Sequence, residues 1–284
     1  MKDILLTLIK TGLPIALIAV MFSQGLRLAL AQQLAFFKEH SMVMARSLLA
    51  VLVLVPLVAL SVVAILRPSP AVAIGLLILA SSPAAPFQLL NIAKKGGSLV
   101  YLATLHLTLA LFAIITVPVT LYLLTHLFGF KAEFSVLAVA ETVATTILIP
   151  VGLGILVRYF LPGVADKIGP ILGKLGEIAL YLLIIPVLIK AFSLMLQISL
   201  WSYVSMIVFI IVNLAICHRL GPDDEQERTT LAMEGSARNI GLALTIGALN
   251  FSQEKALPVF LPYVIVFVVI STIYLKWRQK QTAK

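Results

Sequence analysis

One apolar segment of this chain contains the stretch Met233-Glu234-Gly235-Ser236-Ala237-Arg238-Asn239-Ile240-Gly241. The stretch places a carboxylate, a guanidinium and an amide around a Gly-Ser pair. An ionised group at the centre of a bilayer costs at least about 2.5–3.5 kcal/mol, so such residues usually line a pathway or pair with one another. Because glycine also weakens a helix, we predict that a membrane-spanning helix is interrupted near Gly235.

A second interruption is predicted in the stretch Ala80-Ser81-Ser82-Pro83-Ala84-Ala85-Pro86-Phe87-Gln88. Pro83 and Pro86 lack backbone N–H donors, and their rings clash with the preceding helical turn. Proline kinks and glycines are ordinary in membrane helices, so either break alone is weak evidence. Two interrupted helices in different halves of a chain, however, indicate an inverted-repeat transporter with a binding site near the bilayer midplane.

The composition predicts an all-α membrane protein. Of the 284 residues, 61% are hydrophobic and 12% are charged, whereas a soluble domain carries roughly 25% charged residues. A bilayer core needs about 20 apolar residues per helix, which leaves no room for a separate soluble domain. We predict a single domain, residues 1–284, with about nine spans near residues 4–30, 42–66, 71–94, 98–128, 134–160, 170–195, 199–219, 228–250 and 256–277.

The net charge of +9 indicates membrane topology and not nucleic-acid binding. The basic residues occur in short clusters between apolar runs, which is typical of cytoplasmic loops. Fourteen of the 21 Lys and Arg residues lie on the side of the C-terminal tail, and five lie on the opposite side. We therefore expect a multi-pass protein of the bacterial inner membrane with a cytoplasmic C-terminus and a periplasmic N-terminus.

The sequence contains no pattern typical of an enzyme or of a metal site. It has no phosphate-binding loop, zinc-ligand spacing or hydrolase elbow. The single cysteine, Cys217, can form neither an internal disulfide nor a cysteine-based metal cluster. We expect no cofactor, and the expected partners are the lipid bilayer and a small molecule.

The candidate site residues are polar side chains at the two predicted breaks. Arg238 would bind a substrate carboxylate, and Glu234 would bind a proton or a cation. Alternatively, these two residues at i, i+4 spacing form a buried ion pair that holds the segment together. His106 is a second candidate for proton coupling, although a lone intramembrane histidine is more often a hydrogen-bonded helix contact. The substrate-binding candidates are Gln88, Glu234, Ser236, Arg238 and Asn239.

Two regions, Ala73–Gly97 and Arg228–Phe251, resemble the two core helix regions of the bile acid:sodium symporter family. The resemblance implies a panel domain packed against a core domain, two broken helices that cross at the midplane, and transport by alternating access. It also implies two inverted repeats, here residues 4–128 and 134–277. Family members commonly have ten spans. The first span here, ending at Gly25-Leu26-Arg27, looks like the family's second, so the family's first helix is expected to be missing.

The match to the family is poorest at the positions of the sodium ligands. In the first half, the resemblance implies side-chain oxygen ligands at positions that here hold Val51, Gln88, Leu89, Leu102 and His106. Hard cations are held by carboxylate, carbonyl and hydroxyl oxygens, which the aliphatic and imidazole side chains cannot supply. The resemblance therefore implies that most of the first-half sodium ligands are missing.

In the second half, the family's glutamate is kept as Glu234, but its glutamine four residues later is Arg238. We hypothesise that Arg238 replaces a bound sodium ion and that transport does not require sodium. Proton coupling through Glu234 and His106, or uncoupled exchange, then becomes the leading alternative.

Together these observations predict a secondary transporter of a small, anionic organic solute. One alternative is a proton-coupled efflux carrier of the auxin-carrier type, which shares this architecture. Another is a membrane sensor or scaffold that kept the fold and lost transport.

Overall fold

The computed structural model describes residues 11–83, 98–127, 135–250 and 253–282. Every regular element within these ranges is helical, as the composition predicts. We number the α-helices in chain order: α1 (Leu13–Arg27), α2 (Leu30–Glu39), α3 (Ser41–Leu49), α4 (Val55–Leu66), α5 (Pro70–Ala80), α6 (Leu99–Leu127), α7 (Val136–Val143), α8 (Ile149–Phe160), α9 (Pro162–Met195), α10 (Leu200–Leu220), α11 (Glu225–Ser236), α12 (Ile240–Asn250) and α13 (Gln253–Thr282).

Six helical segments of the described chain are long and apolar enough to cross a membrane. The pair α1 and α2, bent by 76° at its break, would make a seventh, and α5 is a shorter apolar helix. The chain is thus a multi-pass, all-α membrane protein. The six segments are Ser41–Leu66, Leu99–Leu123, Val136–Phe160, Pro162–Pro186, Leu200–Leu220 and Val259–Gln281.

Two segments that lie between predicted spans, residues 31–41 and 161–169, are largely helical. The connection after the first predicted span contains α2, and the predicted sixth span, residues 170–195, begins earlier, at Pro162. Proline is tolerated in the first turn of a helix because its missing N–H would have no intrahelical partner there. Pro162 therefore starts α9, and only Leu161 separates this helix from α8.

Two spans contain a five-residue π-helical segment, and in each the α-helix that follows has a proline in its first turn. Ala50–Leu54 precedes Val55-Pro56, and Ala144–Leu148 precedes Ile149-Pro150. A proline inside a helix removes one hydrogen bond and its ring clashes with the carbonyl four residues earlier. The wider π turn relieves that conflict, so both spans continue past their prolines.

The strongest helix contacts define two packing groups, which are joined by a contact between α9 and α13. In the first, α1 packs chiefly against α8 and α9. The contact with α8 is close because glycines face each other: a Cβ atom at Gly154 would lie 2.3 Å from the carbonyl oxygen of Phe22 and 2.8 Å from the Cα atom of Gly25. Small residues commonly allow such close helix contacts in membranes. In the second group α10 packs against α11 and α4, and α13 against α5.

We expect Gly154→Ala to lower the stability of the protein, because the added methyl group overlaps backbone atoms of α1. Overpacking of this kind costs roughly 1–3 kcal/mol. The matched control is Gly152→Ala on the same helix, where a Cβ atom meets nothing within 4 Å. Melting temperatures in detergent test the prediction, and equal values for the two variants would contradict it.

Candidate functional site

The end of α5 and the break between α11 and α12 meet at a direct backbone hydrogen bond. Helix α5 ends at Ala80 and Pro83 is non-helical, while Ala237–Asn239 separates α11 from α12. The amide of Asn239 donates to the carbonyl oxygen of Ser82 at 2.9 Å. Two breaks that are 157 residues apart in the sequence are thus in contact in the fold.

Asn239 also begins α12. Its side-chain oxygen Oδ1 accepts from the amide of Leu242 at 2.9 Å, and its carbonyl oxygen accepts from the amide of Ala243 at 2.8 Å. Asparagine is among the preferred residues for this N-capping role, because it satisfies a donor that the helix leaves without a partner. The amide side chain of the polar stretch is therefore used to restart the helix.

Arg238 binds backbone carbonyls at both breaks. Its guanidinium donates from Nε to Ala237 O at 3.0 Å, from Nη1 to Ala80 O at 3.4 Å, and from Nη2 to Glu234 O at 3.5 Å and to Gly235 O. The last carbonyls of a helix lack intrahelical partners, and the C-terminus of a helix favours a cation. Arg238, which is 3% exposed, thus caps the ends of α5 and α11 together.

The Glu234 carboxylate contacts His106 and not the guanidinium of Arg238. His106 Nδ1 lies 3.0 Å from Glu234 Oε1. Because α11 ends at Ser236, Arg238 does not continue the helical face that carries Glu234. Both Glu234 and His106 are buried, and neither Glu234 Oε2 nor His106 Nε2 has a hydrogen-bond partner within the part of the chain that the structure describes.

Neighbouring side chains hold the end of α11. The Ser236 hydroxyl donates to Ala232 O at 2.6 Å, and the Tyr263 hydroxyl donates to Ser236 O at 2.9 Å. Gly235 lies inside α11 and not in the break, and a Cβ atom there would lie 2.2 Å from Cys217 Sγ. Gly235 is therefore needed for the close contact between α11 and α10.

A cavity of about 240 Å³ lies beside this junction. It is formed by the end of α1, by α2, by the first half of α6 and by Val151. His106 lines the cavity and also binds Glu234, so it connects the cavity with the helix breaks. The other lining residues are apolar, except for the polar set Gln24, Arg27, Gln32 and Gln33.

The predicted site residues do not all line this cavity. Of the substrate-binding and coupling candidates, His106 lines it, whereas Glu234, Ser236, Arg238 and Asn239 are buried at the helix junction beside it. Pro86 and Gln88 lie outside the described residues. No group of three or more His, Cys, Asp or Glu side chains in the described ranges is placed to hold a metal ion.

Sequence reasoning missed the polar residues of the cavity. The sequence indicates Arg27 as the end of the first span and as part of the topology signal, and it leaves Gln32 and Gln33 in the connection that follows. Gln33 is 6% exposed, and its Oε1 has no hydrogen-bond partner in the described part of the chain. The adjacent amide pair Gln32-Gln33 after an apolar span was the signal that could have identified them.

Comparison with known proteins identifies the family. A comparison with curated proteins found no match for the chain. The family model described as Sodium Bile acid symporter family matches residues 14–198. This range is more than half of the chain and includes Ser82, Pro83 and His106, while α11 and α12 lie beyond it. The resemblance noted in the sequence is thus confirmed, and the chain belongs to the sodium bile acid symporter family of membrane transporters.

Proposed function

We propose that this protein is a secondary transporter that moves a small organic anion across the bacterial inner membrane by alternating access. The observation that carries the proposal is the contact between the end of α5 and the break between α11 and α12, through Ser82 O and Asn239 N. His106 connects this junction to the cavity beside it. Transporter folds with inverted repeats bind their substrates at such helix interruptions. The first packing group would be the panel domain and the second the core.

We further propose that transport does not require sodium. The carbonyl oxygens of Ala80, Glu234 and Gly235 are the kind of ligand that a hard cation uses, and the Arg238 guanidinium occupies them. Of the positions that the family resemblance assigns to sodium ligands, Val51 and Leu102 are buried aliphatic side chains without an oxygen. The positive charge of Arg238 would thus replace a sodium ion bound from solution.

Proton coupling through His106 and Glu234 is the companion proposal. Histidine titrates closest to physiological pH, and intramembrane ionisable pairs commonly form proton relays. The His106–Glu234 hydrogen bond supports this role. So do His106 Nε2 and Glu234 Oε2, which have no hydrogen-bond partner among the described residues. If the proton gradient instead drives export, the protein is an efflux carrier of the auxin-carrier type. The direction of flux in oriented vesicles distinguishes uptake from export.

The proposed topology has nine spans, a periplasmic N-terminus and a cytoplasmic C-terminus. In this orientation Arg27, at the end of α1, lies on the cytoplasmic side, so the cavity would open inwards. Accessibility of single cysteines introduced into Cys217→Ala protein, at Arg67 and at Lys280, tests the orientation. Labelling from the periplasm is expected at position 67 only.

A thermal-shift screen of the purified protein tests substrate class and coupling ion together. We expect a carboxylate or sulfonate to raise the melting temperature by mass action, equally in sodium and in potassium, and differently at acidic and at alkaline pH. The ligand that raises the melting temperature most is then tested for uptake into proteoliposomes. Uptake that stops when sodium is removed and ignores a pH gradient would contradict the proposal.

We expect Arg27→Gln to weaken binding of the anion found in this screen. Arg27 is the cationic lining residue of the cavity, and loss of a charge-assisted hydrogen bond costs roughly 1.5–3 kcal/mol. The KM for the anion should therefore rise by at least about tenfold, with a smaller change in kcat. Arg46→Gln, an exposed arginine on α3, is the matched control. An unchanged KM in Arg27→Gln would place the anion elsewhere.

A further inference from the structure

A groove lies on the surface of the protein between α10 and α13, and the helix junction described above does not line it. Its volume is about 470 Å³. One part of its wall is apolar and includes Ile211 on α10 and Ile270 and Ile273 on α13, of which Ile211 and Ile273 are exposed. Ile211 lies within a membrane-spanning segment, so this part of the groove faces hydrocarbon and suits an acyl chain.

The other part of the groove is polar and aromatic. It is lined by His218, Arg219, Tyr274 and Trp277, which lie close to the ends of both spans. Arg219 is eight residues from Ile211, which corresponds to about 12 Å along a helix. The groove therefore extends from the apolar part of the span to its end, where a span meets the headgroup region.

The side chains at the polar end of the groove contact one another. His218 Nδ1 lies 2.9 Å from the Tyr274 hydroxyl, and the rings of His218 and Trp277 are 5.6 Å apart. The Arg278 guanidinium lies 5.5 Å from the centre of the Trp277 ring. Arg278 itself is buried and contacts Glu225 and Thr229, so Arg219, which is exposed, is the cation that the groove presents to the bilayer.

We propose that this groove binds one anionic phospholipid, with the phosphate at Arg219 and an acyl chain along Ile211, Ile270 and Ile273. Tyr and Trp side chains favour the headgroup level of the bilayer, and basic pockets between membrane helices bind anionic headgroups. The combination of a cation, an aromatic wall and an apolar channel at the end of two spans complements both parts of such a lipid. The proposal is independent of the transport proposal.

Native mass spectrometry and thermal shift with two lipids of identical acyl chains test it. We expect the wild-type protein to retain phosphatidylglycerol more strongly than phosphatidylcholine and to be stabilised by it. Arg219→Gln should weaken phosphatidylglycerol binding by about fivefold, the equivalent of one basic residue near an anionic headgroup, and leave phosphatidylcholine unchanged. Ala215→Trp, at an exposed lining residue, should fill the groove and remove the preference.

The control is Arg46→Gln, the same substitution at an exposed arginine of α3, which should change the binding of neither lipid. Equal losses in Arg219→Gln and Arg46→Gln would reduce the effect to general surface charge and overturn the proposal. Equal retention of phosphatidylglycerol and phosphatidylcholine by the wild-type protein would also overturn it.

Discussion

Replacing Arg238 by glutamine is expected to abolish transport and to lower the free energy of unfolding by at least about 3 kcal/mol, without making transport depend on sodium. The guanidinium donates to carbonyls at the ends of α5 and α11. A glutamine amide is shorter and uncharged, so several buried carbonyls would lose their donors, at a cost of about 1–3 kcal/mol each. The two helix ends would then separate more easily.

Sodium should not rescue the variant, because the side chains of Val51 and Leu102 still offer no oxygen ligand. The measurement is the melting temperature of Arg238→Gln in sodium and in potassium, together with flux in proteoliposomes. A sodium-dependent rise in stability or flux in the variant would show that a cation site is complete without the arginine, which contradicts the proposal that most ligands are missing.

A control separates loss of stability from loss of transport. Arg278 is as buried as Arg238 and contacts Glu225 and Thr229 at the start of α11. Arg278→Gln should also lower the melting temperature, but it leaves the helix junction intact and should retain a measurable flux. If Glu234→Ala and Arg238→Ala both leave flux unchanged, the junction does not take part in transport.

The sensor or scaffold alternative predicts a different result. In that case the wild-type protein would show no flux in proteoliposomes.

Removing either member of the His106–Glu234 pair is expected to abolish the response of transport to a pH gradient. His106→Gln and Glu234→Gln keep side chains of similar size but cannot exchange a proton. Because neither variant can pass on a proton at that position, an acidic exterior should no longer stimulate uptake. The measurement is uptake into proteoliposomes with and without a pH gradient.

The chain offers matched controls for both substitutions. His126 is an exposed histidine on the same helix as His106, stacked on Tyr122, and Glu141 is an exposed carboxylate on α7. His126→Gln and Glu141→Gln should leave the pH response unchanged. A response that survives in His106→Gln and Glu234→Gln would exclude this pair as the proton pathway and would favour uncoupled exchange.

Much of the fold could be predicted from local patterns in the sequence. Hydrophobic runs of about 20 residues predict membrane helices because each helix satisfies its own backbone in lipid. Pro83 and the polar stretch at Gly235-Ser236 indicate helix ends for equally local reasons, and the chain is non-helical at Pro83 and at Ala237–Asn239. The start of the span predicted at residue 170 was wrong, because proline can also begin a helix and α9 begins at Pro162.

The partners of the polar residues could not be predicted in this way. At i, i+4 spacing, Glu234 and Arg238 suggest an ion pair, yet the carboxylate contacts His106, 128 residues away, and the guanidinium contacts Ala80 O, 158 residues away. Residues at i and i+4 share a face only in a continuous helix, and α11 ends at Ser236, before Arg238. Arg27 and Gln33 likewise share a cavity with His106 only because α1, α2 and α6 lie together.

The sequence by itself determined that this protein is a bundle of membrane helices, and that the chain leaves the helical conformation at Pro83 and just after Gly235-Ser236. These properties follow from hydropathy, backbone chemistry and residue type, which act over one or two helical turns. Only the tertiary structure decided that Arg238 caps two helices, that Glu234 binds His106, and that a cavity reaches this pair. Those contacts depend on how distant helices pack, which no local pattern encodes.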